Sequence, residues 1–239
     1  MEKILYEELT PREFEQRLAQ APVAYLPLGT LEWHGLHLPL GSDGLQSRGL
    51  FCRLAREVGG IVMPMLFVGP DRTRVVDGET YIGMDFWSRP EDEQPRQLPG
   101  SAYHVTDELF AQLIDAIMAQ LARAGFRVVV GHGHGPSNRA FSAMIPLMKE
   151  KYGLTLINGR FEGEQYGYQS DHAAANETSL MLLLHPDLVH MDELSPDPAR
   201  RPEAIMGLDP RYHASTELGQ AAMEEAVSYL AHAIRNALK

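Results

Sequence analysis

Residues 32–43 read Glu-Trp-His-Gly-Leu-His-Leu-Pro-Leu-Gly-Ser-Asp, which packs two carboxylates and two imidazoles into one glycine- and proline-stiffened loop behind an apolar run. In extended backbone, residues i and i+2 share a side, so Glu32 and His34 can face one cation while Trp33 turns away into packing. Asp43 follows where the loop closes and a helix is expected to begin. Carboxylate oxygen beside neutral imidazole nitrogen suits zinc, manganese or iron(II) better than calcium or magnesium, which prefer oxygen alone.

Two later stretches carry the same kinds of side chain. Residues 130–138, Val-Gly-His-Gly-His-Gly-Pro-Ser-Asn, offer His132 and His134, and residues 172–179 read His-Ala-Ala-Ala-Asn-Glu-Thr-Ser. Glu177 there opens an apolar helical run, where a carboxylate would otherwise be buried without a partner. Taken in order, Gly29-Thr30 with residues 32–43, the Gly133-His134-Gly135 turn and residues 172–179 resemble the hallmarks of the creatininase family of metal-dependent amidohydrolases. The resemblance runs from about residue 26 to about residue 184.

The resemblance implies a creatininase-like three-layer α/β/α sandwich with a mostly parallel sheet. It also implies two divalent ions per chain, zinc, manganese or iron, on Glu32, His34, Asp43, His134 and Glu177, with Asp43 as the bridge. Three carboxylates with one hydroxide then offset two dications, and the metal-activated hydroxide attacks a polarised carbonyl. Catalytic work falls to His172 and Glu177, with His172 carrying the proton from the water to the leaving group. Asp171 either orients His172 or is plain loop polarity.

The second histidine loop has two registers. Counted from Gly125-Phe126, the strand reaches the family's turn only if His134 is the ligand, which leaves His132 as a donor behind the ligands or a substrate contact. The other register makes His132 the ligand. His104, near residues 98–101 that resemble a family turn, and Tyr168, in a polar stretch before His172, are further substrate-contact candidates. His37 is expected to hydrogen-bond the loop and Trp33 to join the core, while His185, His190, His213 and His232 read as surface or satisfied-core residues.

The elements that must position these residues alternate. Thr10, Pro11 and Glu13 form a helix start running to about residue 19, and an apolar strand follows at 23–28. Leu45, Leu50, Leu54 and Val58 have helical spacing that Gly59-Gly60 stops before a strand at 61–68. Thr106 caps a long amphipathic helix ended by Gly125. A strand at 127–130, a helix at 138–152, a strand at 154–157, a buried helix at 177–184 and a C-terminal helix at 216–238 complete the pattern. Strands separated by helices pair in parallel, with helices on both faces and ligands beyond the strands' carboxyl ends. Both histidine-rich loops occupy that edge.

With 239 residues and 44% hydrophobic content, residues 1–239 are expected to form one domain with an insertion at about 71–97. A net charge of -11 argues against nonspecific binding to nucleic acid or anionic membranes. No stretch reads as a signal peptide or a membrane span, which makes the cytoplasm the expected location. One cysteine, Cys52, excludes an intrachain disulfide and reads as a small core residue.

Residues 71–97 open on Asp-Arg-Thr-Arg, with Arg72 and Arg74, and continue to an aromatic run at 81–87. Long loops of this kind tend to be lids or interfaces. The resemblance implies a homo-oligomer, a hexamer as in creatininase, and a small-molecule substrate. Creatininase stacks its heterocycle near tryptophans in the second half of the chain, whereas this sequence has only Trp33 and Trp87. The expected reaction is therefore cleavage of a C–N bond in a small polar cyclic amide other than creatinine. Two alternatives stay open: ring-opening C–C hydrolysis of a keto-inositol, and a non-catalytic metal-stabilised binding protein.

Overall fold

The computed structural model describes residues 3–87, 95–160, 163 and 167–239. Helix α1 (Pro11–Gln20) starts at a capping box, with the Thr10 hydroxyl accepting from Glu13 N and the Glu13 carboxylate accepting from Thr10 N. Strand β1 (Val23–Leu28) is buried throughout, and α2 (Ser42–Glu57) follows the first histidine loop. After β2 (Ile61–Val62) come the hairpin strands β3 (Thr73–Val76) and β4 (Glu79–Ile82), then a 3-10 turn over Gly83–Trp87. Helix α3 (Asp107–Ala124) runs from its Thr106 cap to Gly125, whose φ of 99° ends it in the left-handed region. The rest of the chain forms β5 (Val128–Gly133), α4 (Gly135–Ala143), α5 (Ile145–Tyr152), β6 (Thr155–Asn158), α6 (Ala175–Leu184), α7 (Pro210–His213) and α8 (Thr216–Leu238).

The main sheet has the order β2-β1-β5-β6, and every pair is parallel. Strand β1 is apolar on both sides because both sides are covered. Val23 and Tyr25 join Val128 and Val130 against α2, α6 and α8, while Ala24, Leu26 and Leu28 join Val129 against α3, α4 and α5. Two cores on opposite faces of one sheet make the three layers of an α/β/α sandwich.

Four expected elements differ. The strand at 61–68 shortens to Ile61–Val62 because Pro64 has no N–H to continue the ladder, although Met63 N and Leu66 N still bond the carbonyls of Tyr25 and Pro27. The helix at 138–152 starts earlier, at Gly135, and breaks at Met144 ahead of Pro146. Strand β5 extends past Val130 to Gly133, carrying His132 within it. The insertion contains an antiparallel hairpin where only a loop was expected.

The edge that carries the site is formed where β1 and β5 end side by side, Leu28 opposite Gly133. His134 N donates to the Leu28 carbonyl at 2.7 Å, and Asn138 Nδ2 donates to the Gly133 carbonyl at 2.6 Å. Gly133 has φ of 148°, and a Cβ there would run into the Leu28 carbonyl oxygen. A glycine between the two histidines is what lets the backbone turn directly off the strand.

Candidate metal centre

Five side chains from four segments meet at that edge, and all are buried. Glu32 and His34 come from the loop after β1, Asp43 from the first turn of α2, His134 from the start of α4 and Glu177 from the first turn of α6. Asp43 divides its two oxygens. Oδ2 lies 3.1 Å from His134 Nδ1, and Oδ1 lies 3.5 Å from His34 Nε2. Glu32 Oε1 joins the first histidine at 3.0 Å, and Glu177 Oε2 joins the second at 3.7 Å.

Two three-residue groups result, Glu32-Asp43-His134 and His34-Asp43-Glu177, each with ligand-capable atoms within 4.8 Å of one another. They share Asp43. A third such group, Glu32-His34-His172, overlaps them. Glu32 and His34, expected side by side on one cation, thus also fall into separate Asp43-sharing groups.

Neighbouring acceptors define which nitrogen each imidazole offers. His34 Nδ1 lies 3.1 Å from the Glu32 carbonyl, so Nδ1–H donates there and Nε2 faces Asp43 and Glu177. His172 Nε2 lies 2.8 Å from the Trp33 carbonyl, which leaves Nδ1 as the acceptor. The His172 ring stacks on His34.

The electrostatics fit a cation. Burial works against a charged His34, yet the Asp43, Glu177 and Glu32 carboxylates raise it to about 10. His134 is likewise raised well above the usual imidazole value against its burial, by Glu32, Asp43 and Asp71. Burial would raise Asp43, but His34 and His134 hold it well below the ordinary carboxylate range. Glu177 is driven the other way, first by burial and then by Asp43 and Asp171. The protein alone thus relies on imidazole protons inside a cage of three buried carboxylates. His34 Nε2, which faces Asp43 and Glu177, is buried without a hydrogen-bond partner among the described residues. Divalent cations would replace those protons and supply the missing positive charge, so the donor set fits zinc or manganese.

The other expected site residues have distinct surroundings. His132 lies behind the cage, its Nδ1 3.0 Å from Ser47 Oγ, which in turn donates to the Asp43 carbonyl at 2.7 Å. Burial pushes His132 down to about 4. It also lines the cavity described below. Tyr168 does not line the cavity: it is fully buried, donates its hydroxyl to the Gln46 carbonyl at 2.8 Å and packs edge-on against His132. His104 does not line the cavity either; it pairs with Gly69 and buries both ring nitrogens beside the insertion. His37 bonds α6 rather than its own loop, with Nε2 2.8 Å from Thr178 Oγ1. Asp171 accepts from Asn176 N and Glu177 N, which satisfies two free amides in the first turn of α6. Trp33 packs with Met84, Leu98 and Ala204. His190, His213 and His232 are exposed.

Two polar residues were missed. Gln169 Nε2 donates to Asp43 Oδ1 at 3.3 Å, and Asp71 Oδ2 lies 3.5 Å from His134 Nε2. Gln169 stands in the polar stretch before His172, of which residues 161–162 and 164–166 lie outside the described residues. Asp71 opens the insertion, whose arginines and aromatic run are the features the sequence brings forward.

A cavity of about 820 Å³ opens over the cage. Its floor includes Glu32, Asp43, His134, His172 and Glu177, while Arg72, Arg74, Met84, Phe86 and Trp87 of the insertion and Arg139 of α4 form walls. Asp85 anchors this cover, accepting from Ile82 N at 2.9 Å and Leu98 N at 2.8 Å. Residues 88–94 of the insertion lie outside the described residues. Among the described residues no helix is long and apolar enough to cross a membrane.

Known proteins with this sequence pattern and fold match almost the whole chain. The family model described as "Creatininase: Creatinine amidohydrolase" matches residues 7–234. A creatinine amidohydrolase of Pseudomonas putida is 30% identical, over 95% of this chain and 95% of that protein. A manganese form of creatininase superposes with a TM-score of 0.74 at 27% identity, covering 99% of each chain. A zinc-zinc form of a creatininase mutant gives 0.74 at 26% identity, covering 100% of this chain and 99% of that one. The chain belongs to the creatininase family.

Proposed function

We propose that this protein is a metal-dependent hydrolase that cleaves a C–N bond in a small polar cyclic amide, with two divalent ions held by Glu32, His34, Asp43, His134 and Glu177. The observation that carries the reading is Asp43, whose two oxygens face two different histidines, each with its own second carboxylate. When bound, such ions make a water acidic enough to ionise near neutral pH and polarise a carbonyl.

The chain's own residues supply the rest. His172 is held below the usual imidazole range by burial and then by His34, which keeps it neutral at pH 7. With Nε2–H committed to the Trp33 carbonyl, its Nδ1 takes a proton from water and returns it to the leaving nitrogen. Glu177 is oriented by the Ala173 amide, which donates to Oε2 at 2.7 Å. Gln169 and the Ser47–His132 pair steady Asp43 from behind. Met84, Phe86 and Trp87 limit water over the cavity.

The walls speak to the substrate. Arg72 and Arg139 border the cavity with no ion-pair partner among the described residues, and Arg74 sits over the Phe86 ring. Guanidinium groups match carbonyl and carboxylate oxygens, so a polar, oxygen-rich substrate suits this surface. Of the two tryptophans only Trp87 lines the cavity, which supports a substrate other than creatinine.

A turnover screen of metal-loaded enzyme against cyclic amides, formamides and keto-inositols tests this reading. Cyclic amides should react and creatinine should not. Ready creatinine hydrolysis, or turnover confined to keto-inositols, would overturn it. From the family resemblance we also propose a homo-oligomer; a monomer by light scattering at micromolar concentration would count against that.

A further inference from the structure

Three imidazoles face the cage, and two of them have one nitrogen tied to a backbone carbonyl, His34 to Glu32 and His172 to Trp33. His134 has no such carbonyl among the described residues. Its Nδ1 is the nitrogen turned toward Glu32 and Asp43, at 3.0 and 3.1 Å, so Nε2 must carry the proton if Nδ1 is to bind a cation. A carboxylate oxygen, Asp71 Oδ2, lies 3.5 Å from Nε2.

Asp71 is built for that position. Its side chain is 4% exposed, and Oδ2 is buried with no hydrogen-bond partner among the described residues. The other oxygen, Oδ1, accepts from Arg72 N at 2.7 Å, which fixes the rotation of the carboxylate. The hairpin then closes over it: Gly83 N donates to the Arg72 carbonyl at 2.9 Å. Gly83 has φ of 56°, and a Cβ there would collide with Asp71 Oδ2 and come within 3.3 Å of Glu32 Oε2. Glycine at that point leaves room for two carboxylates to approach the same histidine from opposite sides.

We propose that Asp71, brought in by the insertion, is a positioning residue of the metal centre: it accepts the His134 Nε2 proton and so presents the Nδ1 lone pair to the cation between Glu32 and Asp43. This rests on the metal-centre reading above. A carboxylate behind a ligating imidazole fixes its tautomer and raises its basicity, and losing one typically costs about 10 to 100-fold in metal affinity. The insertion is then part of the metal site as well as a cover, with Asp71 on the cage side of the hairpin and Arg72 and Arg74 on the cavity wall.

The test is metal affinity, measured by chelator competition with zinc, and the visible spectrum of the cobalt-substituted protein. Asp71→Ala should weaken one of two bound ions by the upper part of that range and change the cobalt bands. Asp71→Asn, which still offers an acceptor but no charge, should fall near the lower end. Val75→Ser, an exposed change in the same hairpin, should leave affinity and spectrum alone. Wild-type affinity for both ions with an unchanged cobalt spectrum, in either folded Asp71 variant, would overturn the proposal. Glu32→Gln separates the two layers of the argument, because full metal retention there would defeat the metal-centre reading itself.

Discussion

The imidazole of His172 stacks on that of His34, with ring centroids 4.3 Å apart and planes inclined by 28°. In the roles proposed above one ring is a ligand and the other a proton carrier, and their nitrogens are committed in opposite senses: His34 gives Nδ1–H to a carbonyl, His172 gives Nε2–H. Close stacking also means that positive charge on His34 disfavours it on His172, which is the second cause, after burial, of the lowered His172 value.

Replacing His172 by Ala should therefore separate chemistry from metal binding. Turnover should fall by about 10² to 10⁴-fold, the usual worth of a positioned acid-base group, with metal content unchanged. Activity equal to wild type would remove the proton-transfer role. A parallel loss of metal would instead make His172 a ligand, through the Glu32-His34-His172 grouping.

The two histidines of β5 and its turn should behave differently. His134→Ala removes a nitrogen that faces two carboxylates and should lower metal content outright. His132→Ala removes the bond to Ser47 and the packing on Tyr168 but no contact to a carboxylate of the cage, so metal should remain and turnover or affinity should drop by about 10 to 100-fold. Metal analysis of both variants decides, and the reverse pattern would move the ligand to His132.

Stability should depend on pH in both directions in the metal-free protein. His37 and His132 are held neutral, each at about 4 against an ordinary 6.5. Their contribution is complete above pH 6.5 and is lost as pH falls from there toward 4, because only the unfolded chain takes up those protons; each is worth up to roughly 3 kcal/mol. His34 is raised to about 10, so its contribution is complete below 6.5 and fades as pH rises toward 10. Glu177, raised by burial, gains stability on protonation and so offsets part of the acid loss, while urea unfolding of chelator-treated protein should show a decline as pH rises above 6.5. His132→Asn should flatten the acid side, and zinc should abolish the alkaline decline by taking the place of the proton. A flat profile from pH 5 to 8 would contradict this.

Much of the site was legible because its residues are close in the chain or sit at helix starts. Glu32, His34 and Asp43 share one loop, and Glu177 betrays itself as a carboxylate in an apolar helix. His132 and His134 could not be separated by spacing alone, because residues two apart on a strand face the same side, and what distinguishes them, the end of β5, depends on how Gly133 meets Leu28. Tyr168 looked polar among its neighbours, yet its ring fills the space behind His132 and its hydroxyl finds the Gln46 carbonyl. Asp71 gave no local signal. Strand β3 after it is exposed and shows no alternation of burial, so nothing in the periodicity announces the hairpin that carries Asp71 to His134.

Asp43 is where the account is most exposed, since it assigns one carboxylate to two cations. The decisive measurement is metal stoichiometry by elemental analysis for wild type, Glu32→Gln, Glu177→Gln and Asp43→Asn after identical zinc loading and desalting. Wild type should hold two ions per chain, the Glu32 and Glu177 variants should each keep about one, and Asp43→Asn should keep neither tightly. Two ions retained by Asp43→Asn, or a wild type that binds none, would contradict it.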